Sequence, residues 1–255
     1  MNNRQKELIT FMVETHYAKV EKLAQKFCVS NETIRRDLKY LEERQFLRRV
    51  HGGAVWDTFR AKERELSERI VRNLEEKRAV AHLAESFVND GDTLVLGTGT
   101  TCLEVAKALQ SKRNLTIVTN SIEIGVEAVK NDSNNIYMIG GKLRANGLSL
   151  SGSFGSQFLS SFRVDTAFIS VGGVSLEHGI TDFNVEESAL ARIMLSIASK
   201  KILVTDYTKM AVIGLVKICD VSDLDYILTD WNMPVRERVD YHQKAGVKVC
   251  IAERR

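Results

Sequence analysis

The amino-acid sequence predicts a protein of two folding units, a small N-terminal α+β unit and a larger C-terminal α/β unit with a mostly parallel sheet. From residue 8 to 47 apolar residues recur at helical spacing, and from residue 93 onward short apolar runs alternate with amphipathic stretches. Charge is the third observation: residues 1–55 hold eleven Lys or Arg and seven Asp or Glu, a balance of +4 in a chain of net charge +3. A basic excess confined to the first unit indicates a nucleic-acid partner.

The composition is that of an ordinary globular protein, with 44% hydrophobic and 27% charged residues in a chain of 255. No apolar run approaches the roughly 20 residues that cross a bilayer, and the polar start MNNRQKELIT lacks the apolar core of a signal peptide. We therefore expect a cytoplasmic protein without a membrane partner. The four cysteines include no C-x-x-C pair, which argues against zinc spacings and a disulfide framework. We expect neither a metal nor a cofactor.

The N-terminal unit has the pattern of a helix-turn-helix. Its apolar residues form successive helical stripes, the second over residues 20–27 and the third at Ile34, Leu38 and Leu41. The link FCVSN between those two stripes ends in Ser30 and Asn31, either of which can cap the next helix. Downstream, FLRRVHGGAVW places apolar residues on both sides of a Gly-Gly pair, which predicts a short hairpin, or wing.

The exposed face of the third helix is typical of a DNA-reading helix. With its apolar stripe toward the core, two arginines, a lysine and hydroxyl groups fall on the opposite arc. Guanidinium groups placed there can reach guanine edges or phosphates in the major groove, while wing residues would meet the backbone or the minor groove. The predicted DNA-binding residues are Ser30, Asn31, Thr33, Arg35, Arg36, Lys39, Tyr40, Arg48, Arg49 and His51.

Two other interpretations concern the same helix. Asp37 projects near the apolar edge, and we expect it to pair with an arginine inside the protein rather than to read a base. The alternative for the whole unit is a solvated charged helix in a three-helix bundle. The basic excess, the short turn and the wing together favour DNA binding.

The stretch VEKLAQKFCVSNETIRRDLKYLEERQFLRRVHGGAV resembles the N-terminal winged helix-turn-helix of the DeoR family of bacterial transcriptional regulators. VSNETIRRDLKYLE followed by RRVHGGA carries most of the resemblance. It implies a repressor that binds an operator upstream of sugar or polyol catabolism genes. It also implies release of that operator by a phosphorylated sugar intermediate.

The predicted domains are a winged helix-turn-helix over 1–57, a helical connector over 58–72 and a sugar-phosphate-sensing α/β domain over 73–255. The connector is rich in charge and lacks proline and glycine, which favours a helix over a flexible tether. Within the last domain, apolar runs alternate with amphipathic stretches, which predicts a mostly parallel sheet covered on both faces. The runs are 93–97, 115–119, 136–140, 166–171, 201–206, 225–230 and 247–252.

Polar residues follow several of these runs, and ligands of parallel α/β folds bind at the carboxyl ends of strands. LGTGTT, after the first run, offers N–H and hydroxyl donors at the start of a helix, which suits a phosphate. Later run-ends add charged groups and acceptors for sugar hydroxyls. Each is common as a turn or a cap, but together they predict an effector site. The predicted effector-binding residues are Thr98, Gly99, Thr100, Thr101, Asn120, Gly141, Arg144, Glu187, Asp206 and Lys209.

The resemblance extends over nearly the whole chain and implies a body similar in fold to ribose-5-phosphate isomerase. The family's recurring elements fall on GTGTT, TNS, GGKLR, FNVEES, DYTK and TD. By this match Glu187 lies at the start of a helix, and Asp206 with Lys209 forms a D-x-x-K element. Members of the family usually carry an aspartate where this chain has Gly97, so LGTGTT is more similar to the isomerase loop.

The alternative function is an isomerase-like enzyme with an accessory N-terminal module. Isomerising a sugar phosphate needs a carboxylate base and groups that stabilise an enediolate. Carboxylates occur in suitable loops at Asp182, Glu186, Glu187 and Asp206, but the isomerase's acid and lysine elements do not occur as a matched set, so we assign no catalytic residue. Helix-turn-helix readers generally act as dimers, and we expect a homo-oligomer, dimer or tetramer, whose DNA binding the effector modulates.

Overall fold

The computed structural model describes residues 2–15, 17–43, 46–55, 63 and 65–254. The chain divides into two compact units, Met1–Ala61 and Lys62–Arg255. The predicted boundary at residue 57 and most of the first half of the predicted connector lie outside the described residues. Within the described part of the connector, a helix spans Leu66–Val71.

The N-terminal unit is a winged helix-turn-helix, as predicted. The apolar stripes form its core, with Leu8, Met12, Leu23, Ile34 and Leu41 fully buried. Because each stripe recurs at helical spacing, all three helices can bury one face against the same core. The elements of this unit are α1 (Asn3–Thr15), β1 (Tyr17–Lys19), α2 (Val20–Lys26), α3 (Asn31–Glu43), β2 (Arg48–Val50) and β3 (Gly53–Val55).

The wing is a β2–β3 hairpin that β1 extends into a three-stranded antiparallel sheet, in the order β1-β3-β2. The sequence pattern does not predict β1, which is only three residues long. The hairpin turns at Gly52, whose φ of +75° favours glycine. At Gly53 a side chain would meet the neighbouring strand, since an added Cβ would lie 2.5 Å from the carbonyl oxygen of Ala18. The glycine pair therefore serves both the turn and the strand pairing.

Asp37 ties α3 to α1. Asp37 is 4% exposed, and its carboxylate accepts hydrogen bonds from Arg4 Nε at 2.6 Å and Gln5 Nε2 at 2.8 Å. The hydrogen bond to Asp37 also raises the pKa of Arg4. The prediction that Asp37 pairs with an arginine inside the protein is confirmed.

The C-terminal unit is built on a seven-stranded sheet in the order β15-β14-β12-β9-β4-β5-β6, and every neighbouring pair in it is parallel. Each of the seven predicted apolar runs supplies one strand. The strands of this sheet are β4 (Thr93–Leu96), β5 (Thr116–Thr119), β6 (Asn135–Met138), β9 (Val164–Ile169), β12 (Ala198–Val204), β14 (Tyr226–Thr229) and β15 (Lys248–Ile251).

Helices connect and cover these strands, as the amphipathic stretches predict. They are α4 (Leu66–Val71), α5 (Leu74–Glu85), α6 (Thr100–Ala108), α7 (Ile122–Ala128), α8 (Ser153–Ser160), α9 (Val185–Ile197) and α10 (Val235–Ala245). One core cluster joins sheet residues such as Leu94, Phe168 and Ile202 to helix residues such as Val80 and Val105. Nothing in the described ranges is long and apolar enough to be a membrane-spanning helix.

Two small antiparallel sheets lie beside the main sheet, and the sequence pattern does not predict them. Their strands are short and carry polar residues, so they lack the apolar runs of the main sheet. One is the hairpin of β7 (Lys142–Arg144) and β8 (Ser149–Ser151), and the other joins β10 (Gly173–Ser175), β11 (Gly179–Asp182) and β13 (Val216–Cys219) in that order.

Replacing Asp37 by alanine is expected to destabilise the N-terminal unit by about 1–3 kcal/mol, because the buried amide of Gln5 and the guanidinium of Arg4 lose their common acceptor. Glu43→Ala is the control, since its carboxylate is exposed and lies 4.0 Å from Lys39; its effect should stay below about 0.5 kcal/mol. Hydrogen exchange of the backbone amides of α1 and α3 measures the loss of stability in each of the two variants. Equal exchange in the two variants would contradict this role for Asp37.

Candidate functional site

The DNA-facing candidate of the N-terminal unit is helix α3. Its first turn is capped by Ser30, whose Oγ accepts a hydrogen bond from the N–H of Thr33 at 3.2 Å. Arg35, Arg36 and Lys39 project into solvent from the side opposite the buried stripe. The ion pairs on this face, such as Arg35 with Glu32 at 3.5 Å, join exposed side chains. Such pairs are weak, so DNA can replace them.

The wing is fastened to the end of α3. Glu42 accepts hydrogen bonds from the backbone N–H of Arg49 at 2.8 Å and from its Nε at 2.6 Å. Burial alone would raise the pKa of Glu42, but these hydrogen bonds and the charge of Arg49 lower it. The bond fixes the position of the wing relative to α3.

The structure places all ten predicted DNA-binding residues on two adjoining elements, α3 with its cap and the wing. Thr33 and Tyr40 are half-buried, and the remaining eight are exposed: Ser30, Asn31, Arg35, Arg36, Lys39, Arg48, Arg49 and His51. Polar and basic side chains on a helix and an adjoining hairpin form a surface that can meet a groove and its flanking phosphates.

The C-terminal unit contains a small cleft at the carboxyl ends of β4, β5 and β9, beside the start of α9. Such a position is where parallel α/β sheets bind ligands. Its lining combines hydrogen-bonding groups with an apolar side. The lining residues are Gly97, Thr98, Asn120, Ile169, Ser170, Asp182, Glu187, Leu190, Ala191 and Met194.

Three of the ten predicted effector residues line this cleft: Thr98, Asn120 and Glu187. Gly99, Thr100 and Thr101 continue the loop from Thr98 into α6, with Gly99 at the N-cap and the two threonines buried in the first turn. Gly99 has a φ of +114°, and an added Cβ would lie 3.1 Å from the side chain of Ser170. Glycine is required there both by conformation and by space.

Asn120 is the most enclosed polar group of the lining, at 1% exposure. Its Nδ2 donates to the carbonyl oxygen of Leu150 at 3.1 Å, whereas its Oδ1 has no hydrogen-bond partner in the described part of the chain. A buried acceptor without a partner costs about 1–3 kcal/mol. A ligand hydroxyl that donates to this oxygen would recover that energy.

Asp182 is a second polar group of the lining, which the predicted effector set does not include. Its carboxylate accepts hydrogen bonds from the N–H of Gly172 at 3.1 Å and of Phe183 at 2.6 Å. Burial raises its pKa to about 6, and the negative charges of Glu187 and Glu63 act in the same direction.

Arg144 lies on β7 and is held by two carboxylates rather than left open to a ligand. It donates to Glu187 Oε1 at 2.9 Å and to both carboxylate oxygens of Glu63, Oε1 at 3.2 Å. Ser149 also donates to Glu187. Burial alone would lower the pKa of Arg144, but its hydrogen bonds to Glu63 and Glu187 and the negative charges of these residues raise it. Arg144 does not line the cleft itself; it is connected to the cleft by its hydrogen bond to Glu187, which does.

Gly141, the predicted effector residue that precedes this strand, is exposed. Its φ is +148°, and an added Cβ would lie 2.2 Å from the carbonyl oxygen of Ser151. Its surroundings therefore require glycine for the pairing of β7 with β8.

Asp206 and Lys209 follow the carboxyl end of β12 and lie in a charged cluster. Asp206 caps a short 3-10 helix by accepting from the N–H of Thr208 at 3.0 Å, and it also accepts from Asn73 Nδ2 at 3.1 Å. Burial lowers the pKa of Lys209, although the charges of Asp206 and Asp182 oppose the shift. Lys77 is 4% exposed, and burial lowers its pKa to about 8, with Asp206 opposing and Lys209 reinforcing the shift. The cluster thus holds one buried lysine, Lys77, and one half-buried lysine, Lys209.

Sequence reasoning missed Ser170, Met194 and Lys77 as site residues. The only feature of the sequence that could have indicated Ser170 as a site residue is its position at the end of a predicted strand. Met194 looks like any core residue of an amphipathic helix. Lys77 stands in the charge-rich start of α5, where nothing local indicates burial.

Two family models match the chain. The DeoR-like helix-turn-helix domain matches residues 4–59, and the DeoR C terminal sensor domain matches residues 72–231. Among curated relatives, the HTH-type transcriptional regulator GolR of Listeria innocua is 33% identical over 98% of each chain. The transcriptional repressor AccR of Agrobacterium fabrum is 32% identical over 89% of each chain. The HTH-type transcriptional repressor GlcR of Bacillus subtilis is 32% identical over 96% of this chain and 94% of its own.

Solved structures of isomerases align with about half of the chain. Ribose 5 phosphate isomerase A from Neisseria gonorrhoeae covers 52% of each chain with a TM-score of 0.40 and 17% identity. Ribose 5-phosphate isomerase from Plasmodium falciparum covers 55% of this chain and 54% of its own, with a TM-score of 0.40 and 18% identity.

The family matches span both units, and the curated relatives cover nearly the full chain. These relatives are named as transcriptional regulators or repressors and not as enzymes, so the comparisons favour the regulator over the isomerase-like alternative. The chain belongs to the DeoR family of transcriptional regulators.

Proposed function

We propose that this regulator represses a sugar or polyol catabolism operon and that a phosphorylated sugar bound in the cleft modulates its binding to the operator. The operator-reading groups are those of α3 and the wing. The effector is held by the loop at Thr98, by Asn120, and by the carboxylates of Asp182 and Glu187. We also propose a homo-oligomer, since helix-turn-helix readers generally bind two half-sites as dimers.

The DNA part of the proposal rests on the arginines of α3. Arg35 and Arg36 leave the first two turns of the helix on the side opposite the core. In the helix-turn-helix mode the N-terminal part of this helix contacts base edges, and arginine pairs with guanine through two hydrogen bonds. Arg48 and Arg49 on the wing supply charge for phosphates.

Replacing Arg35 and Arg36 together by alanine is expected to weaken specific operator binding by about 100-fold, because each base contact carries about 1–3 kcal/mol of discrimination. The matched control is Arg113→Ala with Lys130→Ala, which removes the same charge from exposed positions of the C-terminal unit. Titration of a duplex from the protein's own promoter, with competitor DNA and at several salt concentrations, measures the loss. Specific binding that survives in the α3 variant would exclude α3 as the reading element.

The effector part of the proposal rests on the unpartnered Oδ1 of Asn120. This buried acceptor, with the carboxylates of Asp182 and Glu187, gives the lining of the cleft three acceptors for hydroxyl donors. Thr98, which is also in the lining, leads into the N-terminus of α6, where backbone N–H groups favour an anion. A molecule with several hydroxyls and one phosphate matches these two features.

A phosphorylated sugar is expected to raise the melting temperature of the full chain, because a ligand that binds only the folded state adds about 2.7 kcal/mol at 100 times its Kd. A panel of pentose, hexose and polyol phosphates is compared with the same sugars without phosphate and with inorganic phosphate. Asn120→Ala should abolish the shift. A panel without any shift would remove the sensor proposal.

Gly97→Asp is expected to lower the affinity for the phosphorylated ligand at least tenfold, because it adds a third carboxylate to a cleft that already holds Asp182 and Glu187. The side chain has room, since the nearest atoms to an added Cβ are Met194 Sδ and Phe168 O, both at 3.5 Å. Gly97→Asn has the same size without the charge and is the control. Isothermal titration with both variants tests the charge effect, and equal affinities would contradict it.

A further inference from the structure

We propose that an ion-pair chain from Glu63 through Arg144 to Glu187 couples occupancy of the cleft to the segment that leads toward the DNA-binding unit. This inference rests on the proposed function, because it describes how the same cleft would be read out. We call the three residues the relay, and residues 65–73, which follow Glu63, the strap. The ligand and Glu63 compete for Arg144.

The cleft end of the relay is Glu187. It lines the cleft, and its side chain is only 12% exposed. Asn184 caps α9 by accepting from the N–H of Glu187 at 2.9 Å, which fixes the backbone at this point. The carboxylate then receives hydrogen bonds from Arg144 and Ser149. A ligand that enters beside Glu187 therefore meets a carboxylate whose Oε1 already accepts from both Arg144 and Ser149.

The strap end of the relay is Glu63. Both of its carboxylate oxygens accept from Arg144, in the two-bond arrangement that arginine and carboxylate favour. Arg69, inside the strap, also lies 3.1 Å from Glu63 through its Nη2. The side chains of Glu63 and Arg144 are 16% and 19% exposed. These pairs are partly shielded from water, so they are stronger than surface pairs.

The strap has further attachments to the same part of the C-terminal unit. The N–H of Leu66 donates to Asn146 Oδ1 at 2.9 Å, and Asn146 lies in the turn that joins β7 to β8. The next turn residue, Gly147, has no side chain to separate Arg144 from Glu187, since an added Cβ would lie 3.3 Å from Arg144 Nη1 and 3.4 Å from Glu187 Oε1. The turn therefore holds the strap and the relay together.

Charge explains why a ligand should disturb this arrangement. Glu63 and Glu187 bind Arg144, and Glu63 also pairs with Arg69. Asp182 is close enough to the two glutamates for their negative charges to help burial raise its pKa. A phosphorylated ligand adds negative charge beside this group and offers Arg144 a new acceptor. The two hydrogen bonds to Glu63 use the planar edge of the Arg144 guanidinium, so turning that group toward the ligand weakens them.

The consequence is a two-state strap. In one state Glu63 is bound to Arg144 and the strap is fastened; in the other Arg144 serves the ligand and the strap is released. A ligand that prefers the released state shifts the balance toward it, and by the same linkage a weaker fastening increases ligand affinity. Glu63 and the strap follow the DNA-binding unit in the sequence, so we expect release of the strap to act on that unit through the chain.

The first experiment needs no ligand. Hydrogen exchange of the strap amides is compared in the full-length wild type, Glu63→Gln and Glu65→Gln. Glu65 is exposed and lies two residues further along the chain, so its variant removes the same charge outside the relay. Exchange of the strap should become at least tenfold faster in Glu63→Gln and stay at the wild-type rate in Glu65→Gln. Wild-type exchange in Glu63→Gln would overturn the fastening.

The second experiment uses the sugar phosphate that gives the largest thermal shift. In the wild type it should accelerate strap exchange and change operator affinity. Glu63→Gln should bind it about fivefold more tightly, while its operator affinity should respond less than twofold. A variant with wild-type ligand affinity and a full operator response overturns the coupling alone. If no sugar phosphate shifts the wild type, the proposed function and the competition fail together, whereas the exchange data still decide whether the relay fastens the strap.

Discussion

The parallel direction of all seven strands in the main sheet is the constraint on which the C-terminal unit depends. Parallel strands bring their carboxyl ends to one edge, so the chain must place the loops after β4, β5 and β9 side by side. Those loops supply Thr98, Asn120 and Ser170 to a single cleft although they are far apart in the sequence. Strands β4, β5 and β9 are buried over most of their length, which leaves hydrogen-bonding chemistry to the loops at their ends.

Charged side chains are concentrated near the loops at the carboxyl ends of these strands. Asp182 and Glu187 line the cleft, and the buried Lys77 and half-buried Lys209 lie near Asp206. Buried charges are costly unless they are paired, and removing one partner leaves the other uncompensated. An arrangement in which Arg144 serves two carboxylates is therefore sensitive to any new charge nearby. That sensitivity is a liability for stability, and it is also what a sensor of an anionic ligand requires.

The sequence predicts the main sheet and the DNA-reading helix because both have strong local patterns. Each apolar run became a strand, and the stripe of Ile34, Leu38 and Leu41 identified the buried face of α3. The relay could not be predicted in this way. Glu63 lies in a charge-rich segment with no distinguishing neighbour, and its partner Arg144 is on a three-residue strand without an apolar run. Their contact depends on tertiary packing across eighty-one residues of chain.

The hydrogen bonds that hold the N-terminal unit together limit how the proposed release of the strap could affect DNA binding. Asp37 binds α3 to α1, and Glu42 binds α3 to the wing through Arg49. All of these bonds lie within the N-terminal unit, so the reading surface is held together by its own contacts. In the proposed oligomer, two such surfaces must fit two half-sites, and we propose that release of the strap, which follows the reading unit in the sequence, changes that fit.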